Sequence, residues 1–422
     1  MSATGGGGRS ILLVAYFYPP CPDTGAHRPA AMVKYLRRAG HRVTVLTTSA
    51  FGSEPGESDI VRTSDLQLTR ARIRGHDRVQ GMFESDTYSG RPHLLSRVLV
   101  PEPLVAAWAP FAVRAAKRLA SEQQFDCVIT SSPPESAHRV GLTLQRRGLP
   151  WLADVRDAWN FEPLRPTFPT AAQRRLDERL ERRWLGAADL VTVVSRPVAE
   201  DLRGRLGIES TLVPNAWDPE IDPAGDEAWP FEGTRKLLVY TGRFGSYGRD
   251  PSSLVSAMRE LAAEEPRTAK QLRLVIAGPL TDDERRLLGA DVSPAQISLL
   301  GAASRSSAIG LQRKADALLL LADPRRSQLA NYKLFEYLAA CRPIVALAAG
   351  TEAGRIVLET AAGEVVPSND VAAIKSALRK VVAGELPAPD PDRVRAYAYP
   401  AAADRMAAAV EVAIERSPGR PS

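Results

Sequence analysis

The chain has 422 residues and a formal charge of +6 at neutral pH, with a pI of about 9.3, so a single ordinary core is exceeded and two domains are expected. With 44% hydrophobic and 25% charged residues it reads as a soluble globular protein, and no segment is long or apolar enough to span a bilayer. Three cysteines, Cys21, Cys127 and Cys341, exclude a disulfide framework, no metal-ligand spacing exists among them, and dispersed basic residues without a nucleic-acid motif favour anionic small molecules or an anionic membrane surface over nucleic acid.

The opening MSATGGGGRS lacks the charged and apolar regions of a signal peptide and is expected to be a flexible leader. Residues 11–15 read as a buried first strand, followed by a Pro-rich loop that ends at Gly25. Residues 26–39 read as a helix, because Ala31, Met32, Tyr35 and Leu36 have helical spacing. Gly40 caps it, and 41–46 is the next strand. This is a βαβ opening with its first loop at the carboxyl end of the strand. The three spaced glycines of a dinucleotide fingerprint are absent, which argues against a standard NAD fold. Residues 51–89 are polar and irregular and read as a long loop. A helical stretch lies within 95–120. Residues 126–130 form a strand, followed by Ser131-Ser132-Pro133-Pro134-Glu135 and a helix that carries His138. Residues 151–155 form another strand, ending in Arg156-Asp157-Ala158-Trp159. Residues 171–185 are a charged helix whose mixed signs predict a solvated face, with a membrane-facing role as the less favoured alternative. A strand at 190–194 leads to Ser195, which is placed to cap a helix over 198–206.

Residues 219–233 are rich in Pro, Gly and acidic side chains and read as a linker. A second series follows. Strands are predicted at 236–241, before Gly242-Arg243-Phe244-Gly245, at 272–277, before Gly278, and at 297–300, before Gly301. Residues 316–348 read as strand, loop, helix, turn and strand, and Pro343 stops the helix. A short strand at 364–366 and a helix at 401–415 close the chain. The alternation predicts an α/β protein with two parallel-sheet domains and a cleft between them. The boundaries expected are 10–218, 236–395 and a C-terminal helix at 396–418 that crosses back to the first domain. Lys333 and Glu336 are neighbours on one helix, and a helix that follows a parallel strand points its positive end at the sheet's ligand crevice. An ammonium there suits a diphosphate and a carboxylate suits ribose hydroxyls, while a surface ion pair is the plain alternative.

The segment YKLFEYLAACRPIVALA resembles the nucleotide-binding signature of glycosyltransferase family 4, which has the GT-B fold of two Rossmann-like domains facing across a cleft. That family has paired glutamates eight positions apart, the second in a context FEYLAAGRPI. Glu336 matches the second, which usually binds the ribose, and the first falls on Gln328. YFYPPCPDTGAHRPAAMVKYL resembles the family loop often written YYFPP…GG…R, matched by Gly25 and Arg28. TSSPPESAH, with Ser132 and His138, and ADVRDAW, with Arg156 and Asp157, resemble loops that line the inter-domain cleft. Arg156 stands where several members carry a histidine. PNAWD resembles a PNGVD turn, with Ala216 in place of glycine. YTGRFGSYGRDP resembles the diphosphate loop, in which Gly242 and Arg243 match and Arg249 falls near the lysine place.

The resemblance implies a glycosyltransferase of hexosyl type that moves a sugar from a nucleotide-diphosphate donor to an acceptor hydroxyl with retention. It implies no metal and no cofactor, and a breaking bond that needs positive charge from Arg243, Arg249, Lys333 and a helix end. Arg243, Asp157 and Lys333 are the expected catalytic residues. Gly242, Arg243, Arg249, Gly278, Leu300, Gly301, Lys333, Leu334 and Glu336 are expected on the donor side. Gly25, Arg28, Ser132, His138, Arg156 and Asp157 are expected on the acceptor or sugar side. A surface salt bridge is the alternative for Arg243, and a cap or an ion pair with Arg156 for Asp157. The acceptor is open among a saccharide, a lipid-linked saccharide and a small molecule, in cell-surface glycan or glycosylated natural product synthesis. The expected place is the cytoplasm, at the inner membrane face if contact is peripheral. A GT-B nucleotide-sugar epimerase and a non-catalytic sugar-nucleotide-binding protein are the competing readings.

Overall fold

A computed structural model describes residues 8–21, 23–54, 56, 58–65, 100–101, 108–163, 168–220, 231, 233, 235–245, 249–291 and 296–417. The chain divides into two compact units, Met1–Pro214 with Tyr399–Ser422, and Asn215–Ala398.

The first unit is built on seven strands, β1 Ser10–Ala15, β2 Arg42–Thr48, β3 Ile60–Thr63, β4 Cys127–Ser132, β5 Trp151–Val155, β6 Leu190–Val193 and β7 Ser210–Leu212. Their order is β3-β2-β1-β4-β5-β6-β7 and every pairing is parallel. β4 and β5 are buried along their whole length, as both faces of a parallel sheet must be. The helix Tyr399–Arg416 packs on β4, β5 and β6 and on the helix His27–Arg38, where Tyr35 stacks on Tyr399 with ring centroids 5.9 Å apart. Strand order reverses between β1 and β4, so the loops leaving these strands diverge and open a crevice at their carboxyl ends.

The second unit repeats the plan with β8 Lys236–Thr241, β9 Leu272–Ala277, β10 Ile297–Gly301, β11 Ala317–Leu321, β12 Ile344–Leu347 and β13 Gly363–Val366. The order is β10-β9-β8-β11-β12-β13, again all parallel. Its reversal lies between β8 and β11. One core layer contains Leu238, Tyr240 and Leu319, and the other contains Val239, Leu318 and Leu334. No helix among the described residues is long and apolar enough to cross a membrane.

The α/β class with two parallel sheets is as expected, and the departures have local causes. β3 lies inside the stretch read as a loop, and β7 was not read as a strand. Both are edge strands whose residues are only half-buried, so neither carries the apolar run that marks a central strand. Residues 66–89, the rest of that expected loop, lie outside the described residues, as do 95–99 and 102–107 of the expected helical stretch and 221–230 of the expected linker. The helix expected at 198–206 begins earlier, at Arg196, and continues from Leu202 as one π turn. Ser195 is at its N-cap, yet its hydroxyl makes no capping bond and is buried without a hydrogen-bond partner among the described residues.

The helix Tyr332–Ala340 ends at Cys341, which is left-handed with φ 51° and ψ 39° and donates its N–H to Leu338. Glycine holds this place in the signature it resembles, because a Cβ is costly there. Cys341→Gly should therefore stabilise the protein, by roughly 0.5–1 kcal/mol after the extra chain entropy of glycine is subtracted. The denaturant midpoint measures this, and an unchanged or lowered midpoint refutes the strain.

Candidate functional site

The second unit's site is built where β8 and β9 end, beside the helix that follows β11. Gly242 leaves β8 with φ +90° and donates its N–H to the carbonyl of Ala277 at 2.7 Å. This draws the two turns so close that a side chain at Gly278 would run into the Gly242 carbonyl. A Cβ on Gly242 would lie 3.3 Å from the Lys333 ammonium.

Lys333 is on the first turn of Tyr332–Ala340, whose N-cap Asn331 accepts from the Leu334 N–H at 3.4 Å. Its Nζ lies 3.6 Å from the ring centroid of Tyr240. The side chain as a whole is partly exposed, but the nitrogen is covered and has neither a hydrogen-bond partner nor an ion pair among the described residues. Burial pushes its pKa well below the usual lysine value, Arg249 pushes the same way, and Glu336 opposes them. A covered cation without an anion is costly, and an aromatic face offsets only part of the cost.

Tyr240 connects the other basic residues to this point. Its O–H donates to the Arg243 carbonyl at 2.6 Å and accepts from Arg249 Nη1 at 3.4 Å. Burial raises the hydroxyl to about 12, so it remains a donor. The Arg243 side chain is exposed. Glu284 holds the same loop by accepting from the N–H groups of Gly245 at 2.5 Å and Thr281 at 2.7 Å. Neither Tyr240 nor Glu284 stood out in the sequence. A tyrosine in an apolar strand reads as core, and Glu284 lies in an acidic run whose other members stay exposed.

Glu336 does not pair with Lys333. It faces Arg305 at 3.5 Å, and burial raises its pKa against the pull of Arg305, Gln312 and Lys333. It lines an open hollow of ≈ 450 Å³ together with Trp217, Asp218, Arg305, Gln312 and Tyr332. Gln312 Nε2 donates to the Thr241 hydroxyl at 2.9 Å, and the Tyr337 hydroxyl accepts from the Thr241 N–H at 3.1 Å, so two helices are fastened to the end of β8. Leu334 departs from its expected place on the donor side. Its side chain is wholly buried in the core, and its N–H is taken by the cap. Leu300 and Gly301 sit at the end of edge strand β10, where the register slips, Gly301 is left-handed and Leu300 is 39% exposed. Gln328 is buried.

In the first unit most of the expected acceptor-side residues are spent on the fold. Arg28 is buried, with two bonds to Asp154 at 2.9 and 3.2 Å and one each to the carbonyls of Val213 and Pro214 at 2.9 Å. Burial alone would raise the Asp154 pKa, but the Arg28 pair carries it below the usual range. Arg28 is therefore a structural ion pair. His138 lies against Trp151 and Trp159, with Nδ1 2.9 Å from the Thr130 hydroxyl, and burial lowers its pKa to about 4. It is a neutral core histidine with no exposed surface. Ser132 is buried and offers its carbonyl to Arg156 Nε at 3.0 Å. Arg156 also bonds the carbonyls of Pro133, at 2.9 Å, and Gly25. Its guanidinium thus ties the loops after β1 and β4 to the end of β5. Burial lowers its pKa. Asp157 beside it is exposed.

Comparison with known proteins decides the family. Glycosyltransferase Family 4 matches residues 29–221 and Glycosyl transferases group 1 matches residues 235–383. The chain is a family 4-like GT-B glycosyltransferase. Among solved structures it is similar to alpha,alpha-trehalose 6-phosphate synthase from Burkholderia multivorans, with a TM-score of 0.61 and 15% identity over 96% of this chain and 98% of that one. Sucrose-phosphate synthase from Thermosynechococcus elongatus gives a TM-score of 0.57 and 16% identity over 96% and 97% of the two chains. S. aureus MnaA, in a co-structure with UDP, gives 0.51 and 14% over 98% and 99%. No curated protein matches the sequence.

In this glycosyltransferase one aromatic side chain meets Lys333 with its ring face and the Arg243 carbonyl and Arg249 guanidinium with its hydroxyl. Tyr240→Leu removes the face under Lys333 and should weaken the binding of inorganic pyrophosphate about 10-fold, within the range of a desolvated cation–π contact. Tyr240→Phe keeps the face and loses only the hydroxyl bonds, for a loss of roughly threefold. Calorimetric titration measures both, and a Leu variant with wild-type affinity removes Tyr240 from the site.

Proposed function

We propose that this glycosyltransferase binds a nucleoside-diphosphate sugar in the second unit and passes the sugar to an acceptor hydroxyl with retention, using neither a metal ion nor a cofactor. The observation that carries this reading is the covered Lys333 ammonium without an anion, at the end of β8, with Glu336 one turn further along the helix. The diphosphate supplies the missing charge to Lys333 and also meets Arg243 and Arg249, and Gly242 and Gly278 let it approach the backbone. Glu336 takes the ribose hydroxyls. UDP in the similar MnaA structure agrees with such a donor.

The acceptor oxygen attacks the anomeric carbon from the face on which the diphosphate leaves. The bond to the leaving oxygen breaks with its electron pair, and the acceptor proton passes to that phosphate oxygen. Negative charge grows on the phosphate as the bond lengthens, so the cations bind the transition state more tightly than the donor. The acceptor is a saccharide, a lipid-linked saccharide or a small molecule. Asp157 is the exposed carboxylate left to the acceptor side, and peripheral contact with an anionic membrane surface belongs to the same reading.

Arg243→Ala should lower turnover at saturating donor by about 100-fold while weakening donor binding less. Arg243→Lys should recover only part, because an ammonium lacks the planar two-pronged grip. EDTA should leave the wild-type rate unchanged. Near-wild-type turnover in the Ala variant, a divalent-ion requirement, or an isomerised nucleotide sugar in place of a glycosylated product would each refute this function.

Lys333 gives a second test. Burial and Arg249 hold its pKa low, and an arriving diphosphate raises it. Between these two pKa values binding must take up protons. The calorimetric enthalpy of UDP binding should then vary with the ionisation enthalpy of the buffer, and Lys333→Met should abolish the variation. A buffer-independent enthalpy at every pH below the usual lysine range would show that Lys333 does not meet the diphosphate.

A further inference from the structure

The helix Ala171–Leu185 in the first unit, mixed in sign along the sequence, is sorted by sign in the fold. Two of its three carboxylates are buried and occupied: Asp177 accepts from Trp159 Nε1 at 3.0 Å, and Glu181 accepts from Asn160 Nδ2 at 2.9 Å and pairs with Arg205 at 2.6 Å. With Asp177, Glu181, Trp184 and Leu185 turned inward, Arg175, Arg179, Arg182 and Arg183 fall on the opposite face, spaced as successive turns require. All four are exposed, and Arg175, Arg179 and Arg183 have no ion-pair partner among the described residues. Leu176, 46% exposed, lies in the same stripe, and the one exposed carboxylate, Glu178, is on its flank. The helix His138–Gln145 packs alongside and carries exposed Arg139, with exposed Arg146 and Arg147 just past its end.

We propose that this arginine face docks the glycosyltransferase on an anionic phospholipid bilayer. The proposal rests on the peripheral membrane contact read above and names the surface that makes it. Charge complementarity selects a polyanion. The exposed leucine among the arginines selects a bilayer over nucleic acid, because an apolar side chain gains by entering the headgroup boundary and gains nothing at a phosphodiester backbone. No aromatic side chain is exposed on this helix face for bases to stack on. Each arginine near an anionic leaflet contributes about a fivefold gain in partitioning at moderate salt, so four together contribute several hundredfold.

The test is sedimentation of the full chain with vesicles of phosphatidylcholine alone and with 30% phosphatidylglycerol (about the anionic content of a charged leaflet). Wild type should bind the anionic vesicles, not the neutral ones, and release as salt rises. The variant R175Q/R179Q/R182Q/R183Q should lose roughly 100-fold or more in partitioning, a lower bound on the several-hundredfold effect of four charges, with an unchanged thermal midpoint. R259Q/R267Q/R286Q/R395Q carries the same change in net charge elsewhere and should keep binding. L176S should weaken vesicle binding several-fold and leave binding to soluble polyphosphate unchanged. If wild type ignores anionic vesicles, both the face and the peripheral contact fail. If wild type binds and both quadruple variants lose equally, or L176S has no effect, the contact stands and this face is not its site. None of these readouts depends on sugar transfer, so they stand or fall apart from the donor site.

Discussion

The second unit's site depends on one unsatisfied cation. The Lys333 ammonium is covered, sits on the face of Tyr240 and meets no anion among the described residues. Folding normally avoids this, because a buried charge without a partner is among the most costly arrangements available to a chain. Here the surroundings maintain it. Gly242 has no side chain to displace the lysine, Gly278 lets two turns close behind it, and Tyr240 holds the ammonium while its hydroxyl engages the loop that carries Arg243 and Arg249. The lysine is positioned by these neighbours, and its nitrogen is left without a hydrogen-bond partner among the described residues.

The two units share a topology and use their crevices differently. In both, strand order reverses beside the first strand, and the loops at the carboxyl ends part there. In the first unit Arg28 and Arg156 occupy that position, and both are consumed by the fold. One is locked to Asp154 and the carbonyls of Val213 and Pro214, and the other to the carbonyls of Ser132, Pro133 and Gly25. Their role is to fix loop shape. In the second unit the corresponding end of β8 leaves Lys333 unpaired and Arg243 exposed. Cationic side chains are scaffold in one unit and left exposed, or covered without an anion among the described residues, in the other, according to whether backbone carbonyls reach them first.

Charge sorting on the helix Ala171–Leu185 follows the same logic. A carboxylate can be buried if Trp, Asn and Arg donors meet it, whereas an unpaired guanidinium stays in water. The donors at Trp159, Asn160 and Arg205 therefore turn the acids inward and leave the arginines outside.

The sequence alone determined the architecture. Central strands such as β1 and β11 carry continuous apolar runs, because a parallel sheet is buried on both faces, and that pattern is local and readable. It also placed Gly242 and Arg243 just past a strand end and Lys333 and Glu336 on the first turns of the helix that follows β11. What it could not determine was how each polar side chain is spent. Arg28 and His138 sit in the right loops, but partners far away in sequence, Asp154 and Val213 for one and Trp151 for the other, make them core. Tyr240 looked like core and turned out to bear the cations. Edge strands β3 and β7 were missed because half-buried residues carry no pattern of their own. The division is physical. Periodic burial is written into neighbouring residues, while hydrogen-bond satisfaction, pKa and the sign of a surface are set by groups that only the folded chain brings within a few ångströms.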